Sequence, residues 1–281
     1  MKIAVTSASG HLGSAIVKEL IGEIGKENVV AIARTVQKAE HLGVEVREGD
    51  YNSREQFNRA LRGIDAVLLV SGMDEPQKRI QQHRNVIEVA KENGLKKIVY
   101  TSIVGAEVGT AFSPIVQSNR QTEKDVQASG LEWVIGRNGI YIEPDLEYID
   151  TYVKEGGIRN SAADGKCGYT SRPELAFAYT QMLLNSTVNG KVLNLVGEAI
   201  TQSELADLIN QVYGTDLSYT SVSIEEYKEE RIKALGEFMG TVIAGIYEGI
   251  KKGANHVRSD YEKAAGRAHK GALTMIQEIH K

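Results

Sequence analysis

The stretch TSASGHLGSA, Thr6 to Ala15, follows a short apolar run and opens a helix-like segment. Gly10 and Gly13 are spaced like the last two glycines of a dinucleotide-binding turn. In such a turn one glycine lets the backbone approach a pyrophosphate, the other lets the helix pack close to its strand, and amides at the helix start bind the phosphates. Ser7 stands where the first glycine belongs. That position often takes a positive backbone angle, which costs a residue with a Cβ about 1 kcal/mol. The serine therefore weakens the pattern without abolishing it. In a chain of 28 glycines a bare pair means little, so the weight rests on context: the turn follows the first strand, starts an amphipathic helix and lies in an N-terminal β-α-β unit.

Outward from the turn, Leu12, Ile16, Val17, Leu20, Ile21 and Ile24 recur at helical spacing. Strands are predicted at Ile3 to Thr6, Val29 to Ala33, Val44 to Glu48, Ala66 to Val70, Ile98 to Thr101 and Trp133 to Gly136, with a further one in KVLNLVG, Lys191 to Gly197. Between them lie amphipathic stretches such as RIQQHRNVIEVAKENG, with Gly94 as its stop. Past Arg137, EPDLEYIDTYVKEGG reads as one short helix leaving the sheet, and TSRPELAFAYTQMLL as a helix returning to it, with Pro173 in its first turn. Thr201 and Glu204 form a capping-box signature. The alternation predicts an α/β fold, a Rossmann-type doubly wound parallel sheet with a smaller, mostly helical C-terminal lobe. Residues 1–137, completed by 170–197, are expected to form the NADP-binding domain, and 138–169 with 198–281 the substrate lobe.

Across 281 residues, 33 basic and 37 acidic side chains leave a net charge of -4, which gives no reason to expect nucleic acid or an anionic membrane as partner. One cysteine, Cys167, fits a reducing compartment, and the N-terminus lacks a signal-peptide core, so a cytoplasmic location is expected. The apolar stretch Phe238 to Ile250 is too short to cross a bilayer and reads as a helix buried internally or against a second subunit, leaving monomer and homodimer both open. The six histidines and single cysteine show no metal-ligand spacing, so no metal is expected.

An acid at the end of the second strand would suit the ribose hydroxyls of NAD, an arginine the extra phosphate of NADP. Here stand Arg34 and, a turn later, Lys38. The cofactor predicted is NADP(H).

Together, the turn and the segments AIAR, EVREGDYN, QHRNVI, YTS, QTEK and GRNGIY resemble the NmrA-like branch of the short-chain dehydrogenase superfamily, in particular its bacterial NAD(P)H:quinone oxidoreductases and triphenylmethane reductases. The resemblance covers nearly the whole chain. It implies a phosphate loop at Ser7, Ala8, Ser9, Gly10, His11 and Leu12, a 2'-phosphate contact at Arg34, and a region beside the adenine at Asp50 and Tyr51. It further implies a nicotinamide-ribose loop at Ser71, Gly72 and Met73, with Thr101 at the neighbouring strand end, and a lining of the nicotinamide and substrate by Asn138, Gly139 and Tyr141. Two departures bear on function: Ser7 replaces a glycine and touches cofactor affinity, and Asn119 replaces a histidine often found before TEK and touches substrate positioning.

Most short-chain dehydrogenases use a tyrosine acid with a lysine four residues on, after the fifth strand. This chain has no tyrosine between Tyr100 and Tyr141, and its one such match, Tyr247 with Lys251, lies in the C-terminal lobe. Alcohol oxidation, carbonyl reduction and sugar-nucleotide epimerisation are therefore disfavoured. Quinones and cationic dyes accept hydride without a built-in acid and need only be held against the nicotinamide, a task assigned to Tyr141 and Asn138. Among the other polar residues, Ser102 reads as a backbone-binding hydroxyl, His83 as a surface or half-buried group, and Glu123 and Lys124 as solvated helix charges. The reading is an NADPH-dependent oxidoreductase acting on a small quinone-like substrate; its rival is a non-catalytic NADP-binding sensor that regulates a partner protein.

Overall fold

The computed structural model describes residues 1–281. Seven parallel strands make the central sheet, in the order β10-β6-β5-β4-β1-β2-β3. In chain order the first half runs β1 (Ile3–Val5), α1 (His11–Ile24), β2 (Val29–Ala33), β3 (Glu45–Glu48), α2 (Arg54–Ala60), β4 (Ala66–Leu69), α3 (Pro76–Glu92), β5 (Lys97–Ile103), α4 (Ser113–Gln127) and β6 (Glu132–Asn138). The second half runs β7 (Ile140–Tyr141), α5 (Glu143–Glu147), α6 (Ile149–Glu155), β8 (Gly157–Asn160), β9 (Cys167–Thr170), α7 (Arg172–Leu184), β10 (Lys191–Leu195), β11 (Ala199–Ile200), α8 (Gln202–Tyr213), β12 (Ser218–Ser221), α9 (Ile224–Leu235), α10 (Glu237–Lys251), α11 (Tyr261–Ala265) and α12 (Ala272–His280).

Why the central strands read as unbroken apolar runs is visible in the packing: alternate residues enter different cores, because both faces of the sheet are covered. Ile3 and Val5 join a 29-residue cluster with residues of α1, α7 and α11. Ala4, Val30, Ile32, Val67 and Leu69 join an 18-residue cluster with residues of α2 and α3. A third cluster of 14 residues belongs to the chain after β6, including Ile142, Cys167, Tyr169, Leu205, Ile250 and Ile276. Small sheets β11-β9-β7 and β12-β8 lie in this second region.

The chain passes from β1 to β2 and β3 on one side, then crosses back to lay β4, β5, β6 and β10 on the other, so the winding reverses between β1 and β4. At that point the turn after β1 is packed hard against its helix: a methyl built on Gly13 would overlap the Ser7 carbonyl oxygen, and Gly10 donates its N–H to the same oxygen at 2.9 Å. The helix of Phe238 to Ile250 appears as part of α10, where a Cβ on Gly245 would overlap the backbone at Ala111 and Phe112. Its glycines thus admit neighbouring chain inside the molecule. No helix is long and apolar enough to cross a membrane.

Three local expectations shift. The single helix read over residues 143–157 is two, α5 and α6, broken at Tyr148, whose N–H turns tightly onto the Asp145 carbonyl at 3.2 Å. Strands β5 and β6 run further than predicted, through Ile103 and Asn138, because their polar residues find buried partners. Glu123 is one of those partners and is not a solvated charge: it is 4% exposed and receives Ser102 Oγ at 2.6 Å, Arg120 Nη1 at 2.8 Å and both Arg137 Nε at 2.9 Å and Nη2 at 2.6 Å. Burial would raise its carboxyl, but the hydrogen bonds from Arg137 and Ser102 and the charge of Arg120 outweigh that and hold it below the usual range. Lys124, the adjacent residue, is exposed as expected.

Two stability predictions follow from this packing. Gly13→Ala should cost about 1–3 kcal/mol through overpacking, whereas Gly10→Ala, whose Cβ would stand 3.3 Å from the Ser7 oxygen, should cost less; thermal unfolding of both variants tests the order. Glu123→Gln should cost about 3 kcal/mol because two guanidiniums lose their anion. A carboxyl held low stabilises above its unfolded pKa and loses that contribution as pH falls through its folded value. Urea unfolding from pH 7 to 3 should therefore show a flatter acid-side decline, below about 4.5, in Glu123→Gln than in the parent protein.

Candidate functional site

All loops leaving the carboxyl ends of β1, β2, β4, β5 and β6 open on one edge of the parallel sheet, which is where such sheets place their ligands. The residues singled out from the sequence gather there. Ser7 adopts a left-handed conformation, φ +50°, the strained geometry anticipated for the glycine it replaces. What holds it is Tyr51: Ser7 Oγ donates to the Tyr51 hydroxyl at 3.1 Å, and that hydroxyl donates to the Val70 carbonyl at 2.5 Å. Thr6 Oγ1 lies 2.6 Å from the same hydroxyl and accepts the Val70 N–H at 2.9 Å. Tyr51 stacks on Phe57 with ring centres 5.5 Å apart, and burial pushes its phenol up to about 12. Its ring therefore sits beneath the turn, while neighbouring Asp50 closes a local turn onto the Asn52 N–H at 2.8 Å.

Beyond the turn, α1 starts without a side-chain cap and has no acidic residue in its first turn. Its amides and the positive end of its dipole are open to an anion. Ser9, Gly10 and His11 are exposed, and Leu12 is buried as the first apolar anchor of the helix. Arg34 and Lys38, just past β2, are exposed and form no ion pair within the chain. Open amides beside unengaged cations suit a dinucleotide carrying an additional phosphate. The turn also forms one wall of a cavity of about 420 Å³ whose other wall includes Glu143, Arg172 and Pro173.

Past β4, the loop Ser71, Gly72, Met73 is held from below. Ser71 N–H donates to Thr101 Oγ1 at 2.8 Å, Ser71 Oγ to Asn119 Oδ1 at 3.1 Å, and Gly72 N–H to His83 Nε2 at 2.9 Å. Thr101 is thus a support for this loop from β5, and Met73 stands 79% exposed above it. His83 is not a surface or half-buried group; it is fully buried. Asn119, also fully buried, accepts the Tyr100 hydroxyl at 2.7 Å and faces the loop's underside. Helical spacing carries the signal for both: stepping back from Ala90, Ile87 and Val86 reaches His83 and Arg79 on the buried face of α3, and Val116, Asn119, Glu123 and Val126 share the buried face of α4.

At the end of β6, Asn138 is fixed at both ends of its amide: Oδ1 accepts the Tyr179 hydroxyl at 2.6 Å and Nδ2 donates to the Tyr141 hydroxyl oxygen at 3.1 Å. The Tyr141 proton is left free for another acceptor. Burial pushes the Tyr141 phenol up to about 12, so it can donate a hydrogen bond yet is a poor acid near neutral pH. Gly139 lets the chain cross close to β9, since a Cβ there would overlap the Gly168 carbonyl oxygen. Glu143, unremarked in the sequence, is 6% exposed; it accepts the Arg172 N–H at 2.6 Å, and burial raises its carboxyl. Tyr247 and Lys251 lie on α10, with the Tyr247 ring edge-on to Tyr227 at 5.2 Å, in the second region of the fold.

A family model described as NAD(P)H-binding matches residues 7–184. Quinone oxidoreductase 2 of Escherichia coli is 32% identical over 257 residues, covering 89% of this chain and 88% of that protein. An NmrA-like family domain-containing oxidoreductase of Aspergillus flavus is 29% identical over 235 residues, covering 81% of this chain and 76% of the relative. The triphenylmethane reductase of Citrobacter sp., solved in complex with NADP(H), superposes with a TM-score of 0.91 at 31% identity, over 99% of each chain. With an open helix start at the winding reversal and similarity along nearly its full length, the chain belongs to the NAD(P)H-binding family, as an oxidoreductase of its NmrA-like, quinone oxidoreductase and triphenylmethane reductase type.

Proposed function

We propose that the protein uses NADPH to reduce quinones or similarly electron-poor acceptors by direct hydride transfer. The observation that carries this reading is the Asn138–Tyr141 pair, fixed by Tyr179 at the carboxyl end of β6, the edge of the sheet that also carries the dinucleotide turn, with a phenol unsuited to act as an acid. Relatives that are a quinone oxidoreductase and a triphenylmethane reductase support the acceptor class.

In this reading the turn from Ser7 to Gly13 receives the pyrophosphate on the α1 amides, and Arg34 with Lys38 receives the 2'-phosphate. Asp50 and Tyr51 border the adenine side. Ser71, Gly72 and Met73, backed by Thr101, and Gly139 form the nicotinamide side. Residues 138–169 and 198–281 supply the opposing substrate lobe, apart from α11, which packs on the sheet with α1 and α7. The bound coenzyme supplies the hydride. Tyr141 directs its free O–H toward an acceptor oxygen, and Asn138 fixes the direction of that O–H by donating to it. Rate enhancement then comes from holding the acceptor in line and excluding water. A reduced quinone takes its proton from solvent, whereas a cationic dye needs none.

Steady-state oxidation of NADPH against benzoquinones, naphthoquinones and cationic triarylmethane dyes tests the reading; tight NADPH binding without turnover would instead indicate a dinucleotide-reading regulatory protein. Arg34→Ala should raise KM for NADPH roughly 10- to 100-fold, the equivalent of one charge-assisted contact, and leave the KM for NADH unchanged. Tyr141→Phe and Asn138→Ala should each impair quinone turnover or raise the quinone KM. Unchanged constants in both would remove them from the acceptor site.

A further inference from the structure

The loop after β4 is held by buried side chains of the neighbouring strand and helices. His83 is the least expected of these. Its Nδ1 lies 2.9 Å from Thr122 Oγ1, and the Thr122 proton is itself directed to the Ser118 carbonyl at 3.1 Å. The ring proton therefore sits on Nδ1, which donates to Thr122, and Nε2 is left as a bare acceptor. That acceptor takes the Gly72 N–H at 2.9 Å. At the next peptide group, Arg79 Nη1 donates to the Gly72 carbonyl at 3.3 Å, while its Nη2 is anchored to the Ile115 carbonyl at 2.9 Å and Ser118 Oγ at 2.5 Å. Burial, reinforced by the positive charge of Arg79, pulls the imidazole down to about 3, so the acceptor lone pair persists through the physiological range.

We propose that His83 is a positioning residue for hydride transfer: through the Gly72 amide it sets the height of the Ser71–Met73 loop, and so the placement of the nicotinamide end of the coenzyme, without touching the coenzyme. The inference rests on the reading of this loop as the nicotinamide-ribose contact. With the Ser71 and Gly72 amides both engaged from below by Thr101 and His83, the loop meets a ligand through its remaining upper surface, where Met73 stands exposed. An unheld Gly72 amide would be free to rotate toward solvent or a phosphate and carry that surface with it. Because the α1 start and Arg34 grip the other end of the dinucleotide, displacement of this loop should disturb reaction geometry more than binding.

The test compares His83→Asn with His83→Gln. The longer glutamine amide can place an acceptor oxygen near the Nε2 position, whereas asparagine stops short, near Nδ1. For His83→Asn, kcat with a benzoquinone should fall roughly 10- to 100-fold, as expected of a reactant displaced by a fraction of an ångström to an ångström. The NADPH Kd, read by fluorescence titration, should change less than about three-fold, and His83→Gln should recover most of kcat. An unchanged kcat in His83→Asn, a Kd that weakens in step with kcat, or a glutamine variant as slow as the asparagine one would overturn the proposal. If His83→Asn does not fold, Thr122→Val replaces it: losing the partner that holds the ring proton on Nδ1 should lower kcat and spare Kd, and an unaltered kcat would count against the role. Absence of NADPH binding in the unaltered protein would instead defeat the reading of the site on which this inference stands.

Discussion

One hydroxyl group ties the site together. The Tyr51 Oη meets Thr6, Ser7 and Val70 at the place where the winding of the sheet reverses, and so joins the turn after β1 to the end of β4. A left-handed serine costs about 1–2 kcal/mol, and a well-made buried hydrogen bond returns about 1 kcal/mol, so the Ser7 contact to Tyr51 offsets much of the strain. With Ser7 held, its carbonyl lies against Gly10 and Gly13, and α1 begins where its free amides point into the cleft. A serine can therefore do a glycine's task here because a tyrosine from the β3–α2 connection reaches under it.

The remaining half of the site rests on a layer of polar groups buried between the sheet and helices α3 and α4. Unpaired, each would cost more than it contributes; paired, they specify one arrangement. They divide into two sets. Thr101, His83, Asn119 and Arg79 hold the loop after β4, and the ionic set of Glu123, Arg120 and Arg137 secures β5, β6 and α4 behind it. The chemistry suggested by the front of the site agrees with this construction. Tyr141 sits at about 12 with no lysine to lower it, and Glu143, the carboxyl on the cavity wall that burial raises, accepts the Arg172 N–H. Such a site is better built to place an acceptor than to trade protons with it.

The smaller region adds an opposing wall with a core of its own. Asp145 lies buried within it, accepts the Tyr152 hydroxyl at 2.8 Å and is raised by burial to about 6. The C-terminal segment ties back across the sheet domain through Arg267, which binds both Glu174 oxygens at 2.7 and 2.8 Å at the start of α7. The two regions are thereby linked by charge as well as by chain.

Much of this architecture was legible in the residues themselves. Apolar runs with period two, amphipathic runs with period 3.6 and the Gly10–Gly13 spacing define strands, helices and the phosphate turn, because those patterns report local geometry. The capping box at Thr201 and Glu204 formed as read, and Arg34 stands exposed just past β2. Helical spacing marks the inward faces of α3 and α4, but only the tertiary structure decided which partners the polar residues on those faces find. A histidine or glutamate on a helix looks like a solvated group until its neighbours supply partners, and His83 found Gly72 in the loop after β4 while Glu123 found Arg137 from β6. Those partners are distant in sequence, and the free energy that makes burial tolerable exists only once they meet.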